Sequence, residues 1–175
     1  EWAAVTLGNS YTCGLTTTGA AYCWGFNGYG QVGDSSTTNR TSPVPVPGGL
    51  TCATLSGGPR NNVSGAVCGL SSAGAAYCWG KNDSGQLGNG TGIGSTTPTA
   101  VTMPVGATFA TITTGNYHTC AITIAGVTYC WGLNTQGQLG IGTGMFSTTP
   151  TAVTMPTGVT FTAIRNGGAH TCALT

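Results

Sequence analysis

Of the 175 residues only 4% are charged: the acids Glu1, Asp34 and Asp83 and the bases Arg40, Arg60, Lys81 and Arg165, with a net charge of +1. Four scattered cations cannot replace the counterions of a nucleic acid, and no apolar run approaches the ~18 residues of a membrane span; nucleic-acid binding and membrane insertion are excluded on those grounds. A chain with 39% apolar residues, 31 glycines and 33 threonines has the composition of short strands joined by tight turns rather than of helices or disorder. It begins at Glu1, not Met, with no signal-peptide pattern, which reads as a mature product or a segment of something longer.

In chain order, residue alternation predicts strands at Trp2–Leu7, Tyr11–Leu15 and Ala21–Trp24. Cys13 and Cys23 lie within the last two, one in each. Their midpoint is Thr18, followed by Gly19, and a hairpin loop with glycine in its last place suits a type I turn with a G1 bulge. Counted outward from that turn, the two cysteines face each other across antiparallel strands, within the reach of a disulfide. The tail that follows, GFNGYGQVG over 25–33, is polar and turn-rich.

The pattern then returns. Tyr-Cys-Trp-Gly occurs at 22–25, 77–80 and 129–132, with tails GKNDSGQLG at 80–88 and GLNTQGQLG at 132–140, and STTPTAVTMP is identical at 95–104 and 147–156. A period of this length marks a repeat architecture. We read units at 1–49, 50–107 and 108–159 and a fourth begun at 160–175. The pairs Cys68/Cys78 and Cys120/Cys130 repeat the spacing of Cys13/Cys23, with Gly74 and Gly126 in the turns. Hairpin disulfides are the favoured reading, against buried free thiols or a metal site. Zinc sites usually draw on C-x-x-C knuckles, and none is present. Cys172 stands where the first member of a fourth pair belongs, and Cys52 takes a place held elsewhere by Trp2, Phe109 and Phe161; both are expected to be unpaired or bonded to another chain. Disulfides on this scale imply an oxidising compartment. Sequons begin at Asn39, Asn62, Asn82 and Asn89, sites for glycans if the source attaches them.

The run Gly-x-x-His/Tyr-x-Cys-x-Leu, then Gly-x-x-Tyr-Cys-Trp-Gly-x-Asn-x-x-Gly-Gln-Leu-Gly, resembles the regulator of chromosome condensation repeat family over nearly the whole chain. The resemblance implies an all-β fold of β-propeller blades, each a four-stranded antiparallel sheet, here three full units plus a partial fourth. The cysteine-paired version is similar to extracellular bacterial members. Roles in the family range over nucleotide exchange on a small nuclear GTPase, chromatin docking and inhibition of β-lactamases, and fold does not choose among them. The acidic and basic face and the protruding wedge of the exchange factors have no recognisable counterpart here.

Within this frame Trp24, Trp79 and Trp131 are expected to pack between blades, Asn27, Asn82 and Asn134 to occupy tight left-handed turns, and Gln31, Gln86 and Gln138 to hydrogen-bond the turn backbone. His118 and His170, two residues before Cys120 and Cys172, read as structural imidazoles. Asp34 and Asp83, in different units and different loop positions, do not form the carboxylate pair of a glycosidase, and the Gly-rich tails lack the Lys-Ser/Thr of a phosphate loop. No catalytic residue, cofactor or metal is expected. The insertion PRNNVSG (59–65) reads first as a plain surface loop and second as a specificity loop; Tyr29 and Phe146 fall in non-equivalent loops, where a specific site has room, but two residues do not make a hot spot. Two function classes follow. One is a non-enzymatic extracellular structural or adhesive protein that self-associates, as a homo-oligomer or filament, through open blade ends, with another extracellular protein or a glycan as a further partner. The alternative is a secreted binding propeller, for instance an enzyme inhibitor, of which this is a fragment; low charge and open blade ends favour the structural reading.

Overall fold

The computed structural model describes residues 1–58 and 65–175. Glycines at the ends of the loops, threonines and β-branched residues within the strands and Gly-led hairpins produce fourteen short strands among the described residues. The first sheet contains β1 (Trp2–Leu7), β2 (Tyr11–Thr16), β3 (Ala21–Gly25) and β4 (Arg40–Pro45). The second contains β5 (Cys52–Gly57), β6 (Ala66–Ser71), β7 (Ala76–Gly80) and β8 (Ser95–Ala100). The third contains β9 (Phe109–Thr114), β10 (His118–Thr123), β11 (Thr128–Gly132) and β12 (Ser147–Ala152), and β13 (Ala163–Asn166) and β14 (Thr171–Leu174) form a two-stranded fourth. Each sheet runs in sequence order with antiparallel neighbours. Strand order and repetition are those of propeller blades.

The central hairpin of each blade is set locally. Gly19, Gly74 and Gly126 take φ of +82°, +77° and +81°, a region that costs a side-chain-bearing residue strain. Outward from these turns Cys13 pairs with Cys23, Cys68 with Cys78 and Cys120 with Cys130 in register, and each pair is disulfide-bonded with Cα atoms 4.1 Å apart. The outermost strands β4, β8 and β12 carry Pro43, Pro98 and Pro150; proline is tolerated there because an outer edge needs no further amide donors.

Successive blades are joined through their first strands, β1 against β5, β5 against β9 and β9 against β13. A hydroxyl on one first strand accepts an amide N–H from the next: Gly57 donates to Thr6 (2.9 Å), Thr114 to Ser56 (3.0 Å) and Asn166 to Thr113 (3.3 Å). The apolar core is correspondingly divided into three clusters, each bridging two sheets.

Tryptophan closes each of the first two joints. The indoles of Trp79 and Trp131 are fully buried and donate to the carbonyls of Gln31 and Gln86 in the preceding blade, both at 3.0 Å. Gly33 and Gly88 make room for them: a Cβ there would stand 2.7 and 2.6 Å from the indole nitrogen. Trp24, expected to behave alike, is half-buried and lies 6.0 Å from the Trp2 ring. Truncating an indole should therefore cost unequally. Trp79→Ala or Trp131→Ala is expected to lower stability by about 3–5 kcal/mol, and Trp24→Ala by less than about half of that, as read from urea unfolding midpoints.

Candidate functional site

The tails after β3, β7 and β11 lie on one face of the blade array and are held by the same two side chains each time. Asn27, Asn82 and Asn134 are wholly buried. Each Oδ1 accepts the amide five residues on (Val32, Leu87, Leu139; 2.8–2.9 Å). Each Nδ2 donates across the loop, to the carbonyls of Ser36 and Thr38, of Thr91 and Ile93, and of Thr143 and Met145. This corrects the expectation of left-handed asparagines: Ser35 is the non-glycine residue with positive φ among the described ones, and the asparagines work through buried amides. Gln31, Gln86 and Gln138 accept the amide two residues back, from Tyr29, Ser84 and Gln136 (2.8–2.9 Å).

Because repeated positions carry the loop, the positions at which the units differ are free for specific contact. Phe26, Lys81 and Leu133 are equivalent, as are Tyr29, Ser84 and Gln136. The structure brings the odd members together. Lys81 Nζ lies 4.8 Å from the Tyr29 ring centre and 5.8 Å from that of Tyr117, and 3.2 Å from Asp83 Oδ2. Phe26 meets Tyr29 edge-on at 6.1 Å. The Lys81 side chain is 10% exposed, whereas the Asp83 side chain is 70% exposed and Phe26 and Tyr29 are each 40% exposed. A cation held between two aromatic rings, with a carboxylate and two half-open rings at the rim, has the residue types of a protein-binding hot spot. Sequence reasoning had singled out Tyr29 but not Phe26, Lys81 or Tyr117; comparing the three tails position by position was the available signal. Phe146 is 62% exposed in the third tail. The insertion falls almost wholly on residues 59–64, outside the described residues, and so does the sequon at Asn62; a Cβ at Gly65 would stand 3.0 Å from Gln31 Nε2 and 3.5 Å from the Tyr29 ring.

The remaining polar candidates are engaged in structure. His118 is fully buried; its Nε2 lies 3.0 Å from Thr171 Oγ1, which donates to the Gln138 carbonyl at 2.8 Å, so the ring links the third blade to the fourth. Tyr11, the equivalent residue of the first blade, donates instead to the Ala66 carbonyl (3.0 Å), and burial pushes its phenol well above the usual range. Asp34 pairs with Arg40 and accepts from Asn27 and Ser36; burial acts to raise its carboxyl, but the Ser36 and Arg40 hydrogen bonds and the Arg40 charge outweigh it and hold it below the usual value. His170 is exposed. Among the described residues no three His, Cys, Asp or Glu side chains gather closely enough for a metal. Asn39 is exposed and accepts from the Asn27 amide, and Asn89 is half-buried. Asn82, which begins the third sequon, is buried and its amide is hydrogen-bonded within the loop. Cys52 is buried and unbonded, its thiol pushed up to about 11 by burial, and Cys172 is exposed and unbonded.

The repeat pattern described as "Regulator of chromosome condensation (RCC1) repeat" matches residues 18–72, 73–122 and 125–174. The chain belongs to the RCC1 repeat family. Each matched RCC1 stretch starts at a β3-type strand and ends on the β2-type strand of the next blade, so the family repeat and the structural blade are offset by half. The chain is 31% identical to the ultraviolet-B receptor UVR8 of Arabidopsis thaliana over 140 residues, 79% of this chain and 31% of UVR8. The structure of Prp20p from Saccharomyces cerevisiae, a protein described by its binding to Gsp1p and histones, superposes with a TM-score of 0.82 at 20% identity, over 98% of this chain and 43% of that one. The ectodomain of the Physcomitrella patens receptor kinase CR4 gives a TM-score of 0.59 at 25% identity, over 98% of this chain and 38% of that one. This RCC1 chain therefore spans between 31% and 43% of each.

Two outcomes follow from the buried groups. Burial, reinforced by the positive charge of His170, lowers His118 from 6.5 to about 4. The unfolded chain then binds the proton more readily than the folded one, so stability is full above pH ~6.5 and falls as the pH drops towards ~4, by on the order of 3 kcal/mol in all. His118→Gln should remove that slope from a series of urea midpoints, leaving any loss from Asp34 to lower pH. In the native protein iodoacetamide should add once, at Cys172, and a second time at Cys52 only after unfolding without reductant, as read by intact mass.

Proposed function

We propose that this chain is a non-enzymatic, protein-binding propeller segment of an oxidising extracellular setting, and that its tail face around Tyr29 and Lys81 is where a partner protein docks. The observation that carries this is the non-repeated Phe26–Tyr29–Lys81–Asp83–Tyr117 cluster, built on loops whose repeated residues are occupied with holding the backbone. Three in-register disulfides support the compartment, as does similarity to a receptor-kinase ectodomain. Protein binding by Prp20p, at an identity that speaks for fold alone, is in keeping with such a face. The non-enzymatic reading is supported by Asp34 and Asp83 each being tied to its own cation and His118 to Thr171.

A second reading is self-association into an oligomer or filament, in keeping with a chain of which only 4% is charged. Low charge adds little repulsion between copies.

A photo-crosslinking side chain at position 26, offered extracellular fluid from the source, tests the two. The docking reading expects a different protein as product, reduced at least tenfold by Tyr29→Ala or Lys81→Ala and unchanged by Ile124→Ala in the hairpin turn on the other face. Homodimeric product, with sedimentation showing assembly in dilute solution, would favour the second reading, and no product from this face would overturn the first.

A further inference from the structure

Between the first two blades, both of them complete four-stranded sheets, lies a cleft of about 590 Å³. The linker Pro47–Thr51 forms one wall and Tyr77, Thr97 and Pro98 of the second blade another, with Ser35 of the first tail also lining it. Three departures from the repeat shape it. The first is the linker itself, residues 46–51 between β4 and β5, against residues 101–108 between β8 and β9. The longer linker packs Met103 against the core of its joint. The shorter runs through Gly48 and Gly49, and a Cβ on either would meet nothing within 4 Å.

The second departure is Cys52, which faces Ser71 across its ladder as Phe109 faces Thr123. Phe109 lies 6.1 Å from the Tyr129 ring. With a thiol in the equivalent place, Tyr77 has no ring beside it among the described residues and stands half-buried on the cleft wall. The third is Ser35. Its counterparts Gly90 and Gly142 take φ of +82° and +76°, and Ser35 takes +68°. The amides of Ser35 and Gly90 donate alike to the Thr96 and Thr148 carbonyls, both at 3.0 Å. This tail geometry suits glycine, and serine holds it only with backbone strain. Strain kept where a side chain lines a cleft points to a use for that side chain.

The lining decides the ligand class. No charged side chain lines the cleft among the described residues, so a phosphate, carboxylate or ammonium group would lose hydration there without gaining a counter-charge. Hydroxyls are what the cleft offers. That of Ser71 accepts the Ala75 amide at 3.1 Å, whereas the fold makes no use of those on Ser35, Thr51 and Thr97 among the described residues. A hydroxyl both donates and accepts, which matches the hydroxyls of a sugar. Tyr77, Pro47 and Pro98 add apolar ring surface for the C–H face of a pyranose. We propose that this cleft binds a neutral oligosaccharide, one sugar ring lying against Tyr77 and its hydroxyls bonding to Ser35, Thr51 and Thr97. The volume is in the range of small-ligand sites. The site is separate from the tail face around Lys81, and neither reading depends on the other.

The probes are cellotriose, mannotriose and chitotriose, each titrated into the whole chain and followed by saturation-transfer difference NMR. At least one is expected to give a saturable signal with half-saturation below about 10 mM, strongest at ring C–H protons. Ser35→Gly should weaken that binding about threefold or more, the size of one hydrogen bond's contribution. Its urea midpoint should hold or rise, because the sister tails carry glycine there, so weaker binding cannot come from lost folding. Thr97→Trp, which fills the cleft from an outermost strand, should abolish the signal. No saturable signal from any of the three sugars, or one that both variants leave unchanged, would overturn the saccharide site; a persisting cross-link from position 26 would leave the tail-face reading standing. Loss of the cross-linked product with saccharide binding intact would do the reverse.

Discussion

One contact, an indole N–H reaching back to a glutamine carbonyl in the preceding blade, sets the terms for the rest of this structure. A blade exposes two apolar faces and is stable only when neighbours cover them. Trp79 and Trp131 cover the most area per residue, but a buried indole nitrogen needs an acceptor. The Gln31 and Gln86 carbonyls provide it, and they are in place because each glutamine side chain ties its own loop. Gly33 and Gly88 follow from the same contact, since any side chain there would occupy the indole's space.

The scarcity of charge has a structural counterpart. Where many proteins use ion pairs to satisfy polar groups between elements, this one uses neutral donors and acceptors. Threonine and serine hydroxyls latch one first strand to the next, and buried asparagine amides span the tails. Neutral groups carry a smaller desolvation cost than ions and gain from a low-dielectric surrounding when fully paired. Arg165 stands in the series Thr6, Ser56, Thr113 and supplies no acceptor hydroxyl, so the latch used three times ends at the fourth sheet.

Repetition separates scaffold from function. A residue present in every unit at the same place does the same job there, as the asparagines, glutamines and tryptophans do. The tail face departs from that rule at Phe26, Tyr29, Lys81, Asp83 and Tyr117, and the three units contribute to one cluster only because the blades fan around a common axis. The Lys81 ammonium is kept between rings and a carboxylate, so the face offers aromatic surface and one exposed acid rather than an unpaired cation.

Much of this was legible in the residues alone, because the relevant contacts are short in sequence. Ten-residue cysteine spacing with a glycine in the turn decides a hairpin and its cross-link locally, and three copies of it, with matching tails, decide a blade array. What the folded chain alone could decide lies across joints, between residues 30 to 60 positions apart. The Tyr11 and His118 partners and the meeting of Tyr29 with Lys81 all depend on which blade stands next to which. Such pairings are set by the packing of whole sheets, to which no local spacing points.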